Sequence, residues 1–432
     1  MKKIPVVVSC PIDTYSGYGA RSRDFVKALI NSQPDWDVKI LSQRWGNTRF
    51  GYLQDHNEQD LANRIIPQLT EKPKVWFQIT VPNEFQPVGE YNIGVTAGIE
   101  TTVCDSSWTL GVNRMDLVLT SANHGKLVFE NSTYEEKDQQ GNITKTLKLE
   151  KPVEVLFEGV NTEVYKKVSS NKDIQIVKSL DSIKESFCFL IVGHWLQGDF
   201  GQDRKNIGGT IKTFIEAFRN KHTKPALVIK TQSANSSLTD QSNILGKLDQ
   251  IRKTFGKGNL PNIYLLHGEL TDSEINHLYN HPKIKAMVSL TRGEGFGRPL
   301  LEFTTTGKPI IASGWSGHTD FLNRDFNLLV GGELKTVHPS AVVKNMILEE
   351  GRWFEANTDD AIKAYRLVYK SYKQMLRNSQ RQATVTKKHF TLTNMEDKLK
   401  EILTKYVPEF PREAKFKMPG MKKISLPKMQ TL

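Results

Sequence analysis

The chain has 432 residues, of which 38% are hydrophobic and 25% are charged, a composition typical of a globular protein with more than one domain. No segment approaches the roughly 18 consecutive apolar residues of a transmembrane helix, and three scattered cysteines (Cys10, Cys104 and Cys188) exclude a disulfide-based scaffold and a structural zinc site. The net charge of +12 favours anionic partners. Unpaired thiols at these positions are typical of a protein in the reducing cytoplasm.

Short β-branched runs alternate with helical patterns through the first half of the chain. The predicted strands are residues 4–9, 38–41, 75–79, 91–95, 117–120 and 153–157. Residues 20–30 form an amphipathic helical pattern, and residues 131–150 are predicted to be a surface hairpin. Alternation of this kind predicts a doubly wound parallel sheet.

A polar, lysine-rich stretch at 166–185 is interpreted as a linker, and a second alternating series follows it. The predicted strands of this series are residues 187–192, 226–230, 263–267, 286–289 and 309–312, and the predicted helices are 207–219, 273–279, 359–379 and 393–406. The fold class is therefore predicted to be α/β, with two Rossmann-like domains in tandem. Because open α/β sheets bind ligands beyond the carboxyl ends of their strands, a shared site is expected in the cleft between the domains.

The segment after the predicted strand 286–289 combines three glycines with two acidic residues. It reads TRGEGFGRPLLE from Thr291 to Glu302, and Pro299 favours a helix that starts near it. The backbone N–H groups of a glycine-rich loop that leads into a helix form an anion site. Glu294 lies in the loop and Glu302 in the first turn of the predicted helix. Because carboxylates accept hydrogen bonds from hydroxyls, the pattern fits a phosphate flanked by two hydroxyl-bearing rings, which describes a nucleotide sugar.

This segment resembles the Glu-x7-Glu motif of retaining glycosyltransferases of family four, which have the GT-B fold of two facing Rossmann-like domains. Four further segments resemble elements of the same family in the same order. They are residues 16–21 (the first glycine-rich loop), 155–161 (the interdomain segment, with Glu158 where asparagine is usual), 203–207 (the basic element) and 308–322 (the segment after the motif).

The resemblance implies roles for residues of the motif itself. Glu294 would hold hydroxyls of the donor sugar, with the backbone N–H groups of Gly295, Phe296 and Gly297 nearby. Glu302 would hold the ribose hydroxyls of the nucleotide.

The resemblance also implies that Arg204 and Lys205 neutralise the diphosphate leaving group. A preorganised cation at that point stabilises the charge that develops in the transition state, so no metal ion and no further cofactor is expected. The one Asp-x-Asp sequence, Asp35-Trp36-Asp37, precedes a strand and is not expected to bind a metal.

The two N-terminal glycines Gly17 and Gly19 are expected to line the cleft, where they would contact either the donor phosphate or the acceptor. Many members of the family carry a histidine-rich segment where this chain has Glu100. The stretch around Glu100 instead resembles a subgroup with a Glu-Thr pair followed by a tryptophan, here Trp108. This resemblance implies that Glu100 is a candidate contact of the acceptor or of the reacting centre, with a structural carboxylate as the alternative.

Three histidines are further candidates for the cleft, although a lone histidine is more often structural. They are His124, His194 and His318.

The domains implied by the resemblance are an N-terminal acceptor-side domain (1–168), a nucleotide-sugar-binding domain (169–385), a helix that packs back on the first domain (386–408) and a basic tail (409–432). Residues 411–432 carry six basic residues and one acidic residue. The tail is interpreted as a solvated extension or as an anchor for an anionic surface.

The predicted function is transfer of a hexose from a nucleoside diphosphate sugar, UDP- or GDP-linked, to an acceptor hydroxyl with retention of configuration. The acceptor is left open among glycan, lipid, protein and DNA. The alternatives are a phage-type glycosyltransferase acting on modified bases in DNA, and a nucleic-acid-binding protein that uses the basic tail. The protein is expected in the cytoplasm, either free or at the membrane periphery.

Overall fold

A computed structural model describes residues 3–169, 171–195, 197–198, 201–233 and 236–410. The strands of the first half are β1 (Ile4–Cys10), β2 (Trp36–Ser42), β3 (Val75–Ile79), β4 (Tyr91–Thr96), β5 (Leu117–Thr120), β6 (Tyr134–Lys137), β7 (Ile143–Leu147) and β8 (Val153–Val155). Those of the second half are β9 (Cys188–Val192), β10 (Ala226–Lys230), β11 (Ile263–Leu266), β12 (Ile284–Ser289), β13 (Ile310–Ser313), β14 (Leu328–Val330), β15 (Gly332–Thr336) and β16 (Arg352–Ala356).

The α-helices connect and cover these strands. They are α1 (Gly17–Ser32), α2 (Tyr52–Asp55), α3 (Gln59–Ala62), α4 (Ser106–Arg114), α5 (Asn123–Asn131), α6 (Gln175–Asp181), α7 (Ile207–Phe218), α8 (Leu238–Thr254), α9 (Asp272–Asn280), α10 (Arg298–Thr304), α11 (Thr358–Lys370), α12 (Tyr372–His389) and α13 (Leu392–Tyr406). In the described part of the chain, no helix is both long enough and apolar enough to cross a lipid bilayer.

Two six-stranded parallel sheets organise the protein. The first has the strand order β2-β1-β3-β4-β5-β8 and the second β11-β10-β9-β12-β13-β14. Their central strands are buried on both faces, which explains why they are continuous apolar runs in the sequence. The pairs β6–β7 and β15–β16 are separate antiparallel hairpins.

The carboxyl ends of the two sheets face each other, and loops from both sheets meet between them. Arg49, beyond β2, forms an ion pair of 3.0 Å with Glu269, beyond β11. The backbone N–H of Asn123 donates to a carboxylate oxygen of Asp320 at 2.8 Å. This arrangement places the interdomain cleft at the strand ends, where α/β sheets bind ligands.

The last described helix returns to the first domain. Helix α13 packs against α1, and its apolar face joins the core that includes β1 and β3. The residues it contributes are Met395, Leu399, Ile402 and Leu403, all 3% exposed or less.

All eleven predicted strands are present, with ends within two residues of the predicted ones, and β6–β7 confirms the hairpin. Two predictions of elements need correction. The segment interpreted as a linker contains helix α6. The helix predicted over 359–379 is interrupted at Ser371, whose ψ of 33° ends α11, and α12 then continues to His389. Several elements were not predicted: the helices α2, α3, α4, α5 and α8, the strand β14 and the antiparallel pair β15–β16.

The tail predicted at 409–432 lies outside the described residues except for Glu409 and Phe410. Phe410 packs at the edge of the first core, next to β1 and α13. The predicted limits of the domains stay predictions.

Candidate functional site

The glycine-rich loop between β12 and α10 lies against the loop that follows β4 in the other domain. A Cβ atom added to Gly293 would lie 1.9 Å from the backbone oxygen of Glu100, and one on Gly295 would lie 2.5 Å from that of Ala97. Side chains at these two positions would therefore force the domains apart. The glycines are predicted to leave room for a ligand. In the structure, Gly293 and Gly295 leave room for the backbone of the opposite domain.

Glu294 lies at the centre of this junction and is 7% exposed. The Lys205 ammonium nitrogen donates to both of its carboxylate oxygens at 2.6 Å. Burial raises the pKa of Glu294, but the charges of Lys205 and Arg204 outweigh burial, so its pKa is held below the ordinary value of 4.5. Glu294 is therefore ionised at neutral pH.

The second cation, Arg204, contacts both domains. Its Nη1 donates to the backbone oxygen of Gly293 at 2.7 Å. Its guanidinium also lies 3.5 Å from Glu100 and 3.8 Å from Glu294. The N–H of Arg292 donates to the Arg204 backbone oxygen at 2.8 Å, which ties this loop to the end of β12. The structure thus brings together four of the predicted site residues, Arg204, Lys205, Glu294 and Glu100, in one cluster.

The second acid of the motif occupies a different cluster. Glu302 is the fifth residue of α10, one position beyond the predicted first turn, and is 7% exposed. Its Oε1 accepts a hydrogen bond of 3.0 Å from the Nε of Arg298, whose Nη1 lies 2.6 Å from Asp24 and 3.6 Å from Glu158 of the first half of the chain. Burial raises the pKa of Glu302 to about 8, although Arg298 lowers it.

The three remaining residues of the motif complete the loop. Gly297 has a φ of 97°, a left-handed conformation that favours glycine, and it caps α10. Phe296 is buried and packs against Phe321, with ring centroids 5.1 Å apart. Within the part of the chain that the structure describes, the N–H groups of Gly295 and Phe296 donate to no protein acceptor. These two groups are thus available for a ligand.

The two N-terminal glycines differ in their surroundings. Gly17 is exposed at the start of α1, with no atom near the position of a Cβ. Gly19 packs tightly instead, since a Cβ there would lie 2.2 Å from the Thr14 backbone oxygen. Tyr18 between them faces the cleft: its hydroxyl accepts a hydrogen bond of 3.1 Å from the Ala97 N–H, and its ring stacks on Trp45. The sequence reasoning missed Tyr18.

Of the three candidate histidines, His318 is fully buried, and its Nε2 lies 2.6 Å from the backbone oxygen of Ser313. His124 lies at the domain junction, where its ring contacts Trp315, and burial lowers its pKa to about 4. His194 is exposed beyond the end of β9. The surroundings of His318 and His124 favour neutral, structural imidazoles.

The Asp-x-Asp sequence lies at the opposite end of the first sheet. Asp37, near the start of β2, pairs with Lys39 at 3.5 Å. Among the described residues, no group of three or more histidine, cysteine, aspartate or glutamate side chains has the arrangement of a metal site.

The two facing parallel sheets, the site between them and the returning C-terminal helices define a GT-B fold, which confirms the predicted fold class. Solved structures share it. A glycosyltransferase from Rickettsia africae has a TM-score of 0.64 at 12% identity, over 94% of this chain and 99% of that one. Sucrose-phosphate synthase from Thermosynechococcus elongatus has a TM-score of 0.61 at 11% identity, over 93% and 99%.

The Anabaena protein HepE in complex with UDP-glucose also shares the fold, with a TM-score of 0.60 at 9% identity, over 93% of this chain and 100% of that one. Neither a protein-family model nor a curated protein sequence matches this chain.

Proposed function

We propose that this protein is a retaining glycosyltransferase of family four that moves a hexose from a nucleoside diphosphate sugar to an acceptor hydroxyl. The observation that carries the proposal is the cluster at the domain junction, where Lys205 donates to both carboxylate oxygens of Glu294 and Arg204 lies 3.8 Å from the same carboxylate, beside the backbone N–H groups of Gly295 and Phe296. HepE, which shares the fold, is described in complex with UDP-glucose, and this supports a UDP-linked donor.

The cations would act on the leaving group. As the bond between the anomeric carbon and the diphosphate oxygen breaks, negative charge grows on the diphosphate and positive charge on the sugar ring. Lys205 and Arg204 are held in a partly buried site by their contacts with the loop of Glu294, and a preorganised cation stabilises such charge without reorganisation. In this proposal they replace a divalent metal ion.

The acids would hold the donor and the acceptor. Glu294 is ionised and would accept hydrogen bonds from hydroxyls of the hexose, while the N–H groups of Gly295 and Phe296 would donate to its oxygens. Glu302 would contact the ribose. Glu100 is about one quarter exposed beside Arg204 and would orient the acceptor hydroxyl, which attacks the anomeric carbon from the face that the diphosphate leaves. The acceptor's proton would pass to the departing phosphate oxygen, so the charges balance.

The test is a panel of UDP-, GDP- and ADP-sugars assayed for hydrolysis and transfer, with the product anomer assigned by NMR and with EDTA in a parallel series. We expect one donor to be consumed, with retention and without loss of activity in EDTA. Glu294→Ala and Lys205→Ala should abolish turnover, whereas Glu333→Gln, which changes an exposed acid on β15, should not. Wild-type turnover in the first two variants would refute the proposal.

The acceptor, a cytoplasmic or membrane-peripheral location and the role of the basic tail stay predictions. No contact of the described residues favours the nucleic-acid alternatives over sugar transfer. Incubation with a labelled donor, followed by separation of glycan, lipid, protein and DNA fractions, would identify the acceptor class.

A further inference from the structure

Ser316, which follows β13, has a backbone conformation that side chains rarely adopt. Its φ is 75° and its ψ is −163°, a region occupied essentially by glycine alone. Five non-glycine residues of the described chain have positive φ, and the other four are asparagines, which tolerate this half of the map (Asn57, Asn206, Asn220 and Asn345). Ser316 is therefore the exceptional case, at a position where glycine would fit without strain.

The side chain of Ser316 is not needed to form the turn in which it lies. Its backbone oxygen accepts hydrogen bonds from the N–H and the hydroxyl of Thr319, at 3.0 and 2.7 Å. Its hydroxyl makes no capping bond to the short 3-10 helix at Gly317–Asp320 that it precedes. The turn would form equally well with glycine, so the reason for serine lies elsewhere.

The hydroxyl contacts the backbone of Glu294 instead. The N–H of Glu294 donates to the Oγ of Ser316 at 2.9 Å, and the N–H of Gly317 donates to the Glu294 backbone oxygen at 3.0 Å. Residues 316 and 317 thereby hold Glu294 from both sides of its backbone. The contact is close, since a Cβ on Gly317 would lie 2.2 Å from the Gly295 oxygen, and Ser316 is only 5% exposed.

We propose that Ser316 is a positioning residue whose hydroxyl fixes the backbone of Glu294, so that the Glu294 carboxylate meets Lys205 and the donor sugar. The inference rests on the proposed function. It explains why a strained serine stands where glycine would be more stable, because backbone strain persists at positions where the side chain has a task.

Two variants separate the hydroxyl from the strain. Ser316→Gly and Ser316→Ala both remove the hydrogen bond to Glu294, but only glycine relieves the backbone. We expect both variants to lose turnover, by about 10- to 100-fold, as for a misplaced catalytic group. The glycine variant should nevertheless melt roughly 2–8 °C above the alanine variant. UDP affinity should not fall in either variant, because UDP lacks the sugar and a looser pair of Glu294 and Lys205 leaves the cation free for the diphosphate, whereas a collapsed site would weaken UDP binding.

Hydrogen exchange supplies a readout that does not depend on activity. The Glu294 amide should exchange faster in both variants, since its acceptor has gone. Ser379→Ala is the control, because it removes another buried serine hydroxyl, bonded to the Met375 backbone oxygen in α12, and should alter neither exchange nor turnover.

The outcomes are distinguishable. If the wild type is active and the glycine variant keeps wild-type turnover, Ser316 is a structural residue and the inference is overturned. The inference is likewise overturned if turnover follows the melting temperature, so that Ser316→Ala is impaired and Ser316→Gly is normal. If the wild type consumes no nucleotide sugar, the proposed function itself fails, and the inference fails with it.

Discussion

The Nζ of Lys205 lies 2.6 Å from each carboxylate oxygen of Glu294. The residue proposed to bind the diphosphate and the residue proposed to bind the sugar therefore neutralise each other. The two groups belong to different loops of the second domain and are 89 residues apart in the sequence. The diphosphate of a donor must therefore either share the Lys205 ammonium with Glu294 or displace the Glu294 carboxylate from it.

This competition predicts an opposite effect of one substitution on binding and on catalysis. Glu294→Gln should bind UDP at least about threefold more tightly than the wild type, because a negative charge beside the diphosphate is removed. Sugar transfer should fall by about 100- to 1,000-fold, as when a preorganised polar group is lost. Calorimetric titration with UDP and initial rates with the donor measure the two effects, with Glu333→Gln as the control. Weaker UDP binding in Glu294→Gln would contradict the competition.

Glu302 should make the stability of the protein depend on pH. Its folded pKa of about 8 lies above the ordinary value of 4.5, so between these values the folded state holds a proton that the unfolded state has lost. The free energy of unfolding then falls as pH rises through this window, by up to about 1.4 kcal/mol per pH unit from this group. Glu302→Gln removes this contribution. The melting temperature of the variant minus that of the wild type should therefore increase from pH 6 to pH 8. A difference that does not change with pH would show that Glu302 titrates normally.

The contact between Gly293 and Glu100 predicts intolerance of even a methyl group. Gly293→Ala should cost about 1–3 kcal/mol of stability, because the obstacle is a backbone oxygen that cannot rotate away. Gly246→Ala is the matched control: it lies on the exposed side of α8 with open space around it, and alanine there should stabilise by about 0.5–1 kcal/mol. Thermal unfolding of the two variants tests how closely the two domains approach each other. If Gly293→Ala melts at the wild-type temperature, Gly293 does not contact the Glu100 backbone as described.

Arg298 should couple the two domains energetically. It faces Asp24 and Glu158 as well as Glu302 of its own helix, so Arg298→Leu leaves the Asp24 and Glu158 carboxylates without their cation and should cost about 3–5 kcal/mol. Adding Asp24→Asn should restore part of the loss, and the double-mutant cycle should give a coupling of about 0.5–3 kcal/mol.

The control cycle for Arg298 uses Lys363 and Asp360, an exposed pair on α11 whose coupling should be about 0.5 kcal/mol or less. Equal couplings in the two cycles would mean that the pair between Arg298 and Asp24 is no stronger than a surface contact.

The strands of this fold were predictable because parallel strands covered on both faces are continuous apolar runs, as in β5 and β9. Helix α8 was not, since few of its residues are buried and its pattern is mostly polar. The break between α11 and α12 was also missed, because the residues around Ser371 are ordinary helix formers and only the backbone angles end the helix.

The sequence predicted acids and cations that the structure brings close together, but not their pairing. The motif placed Glu294 and Glu302 in one loop and helix, and the structure assigns them to two different ionic clusters. The pairing of Glu294 with Lys205 depends on how two loops meet in space, which no local pattern encodes. Ser316 gave no signal at all, because its strain appears only in the folded backbone.

Helix α13 has a consequence for how the protein is made. Four side chains of the core around β1 come from residues 395–403, so the first domain lacks part of its interior until these residues have been synthesised. During synthesis the second domain has all of its strands before the first is closed. A nascent chain stopped before residue 392 would expose the apolar surface of α1 to chaperones, whereas the second sheet could already be folded.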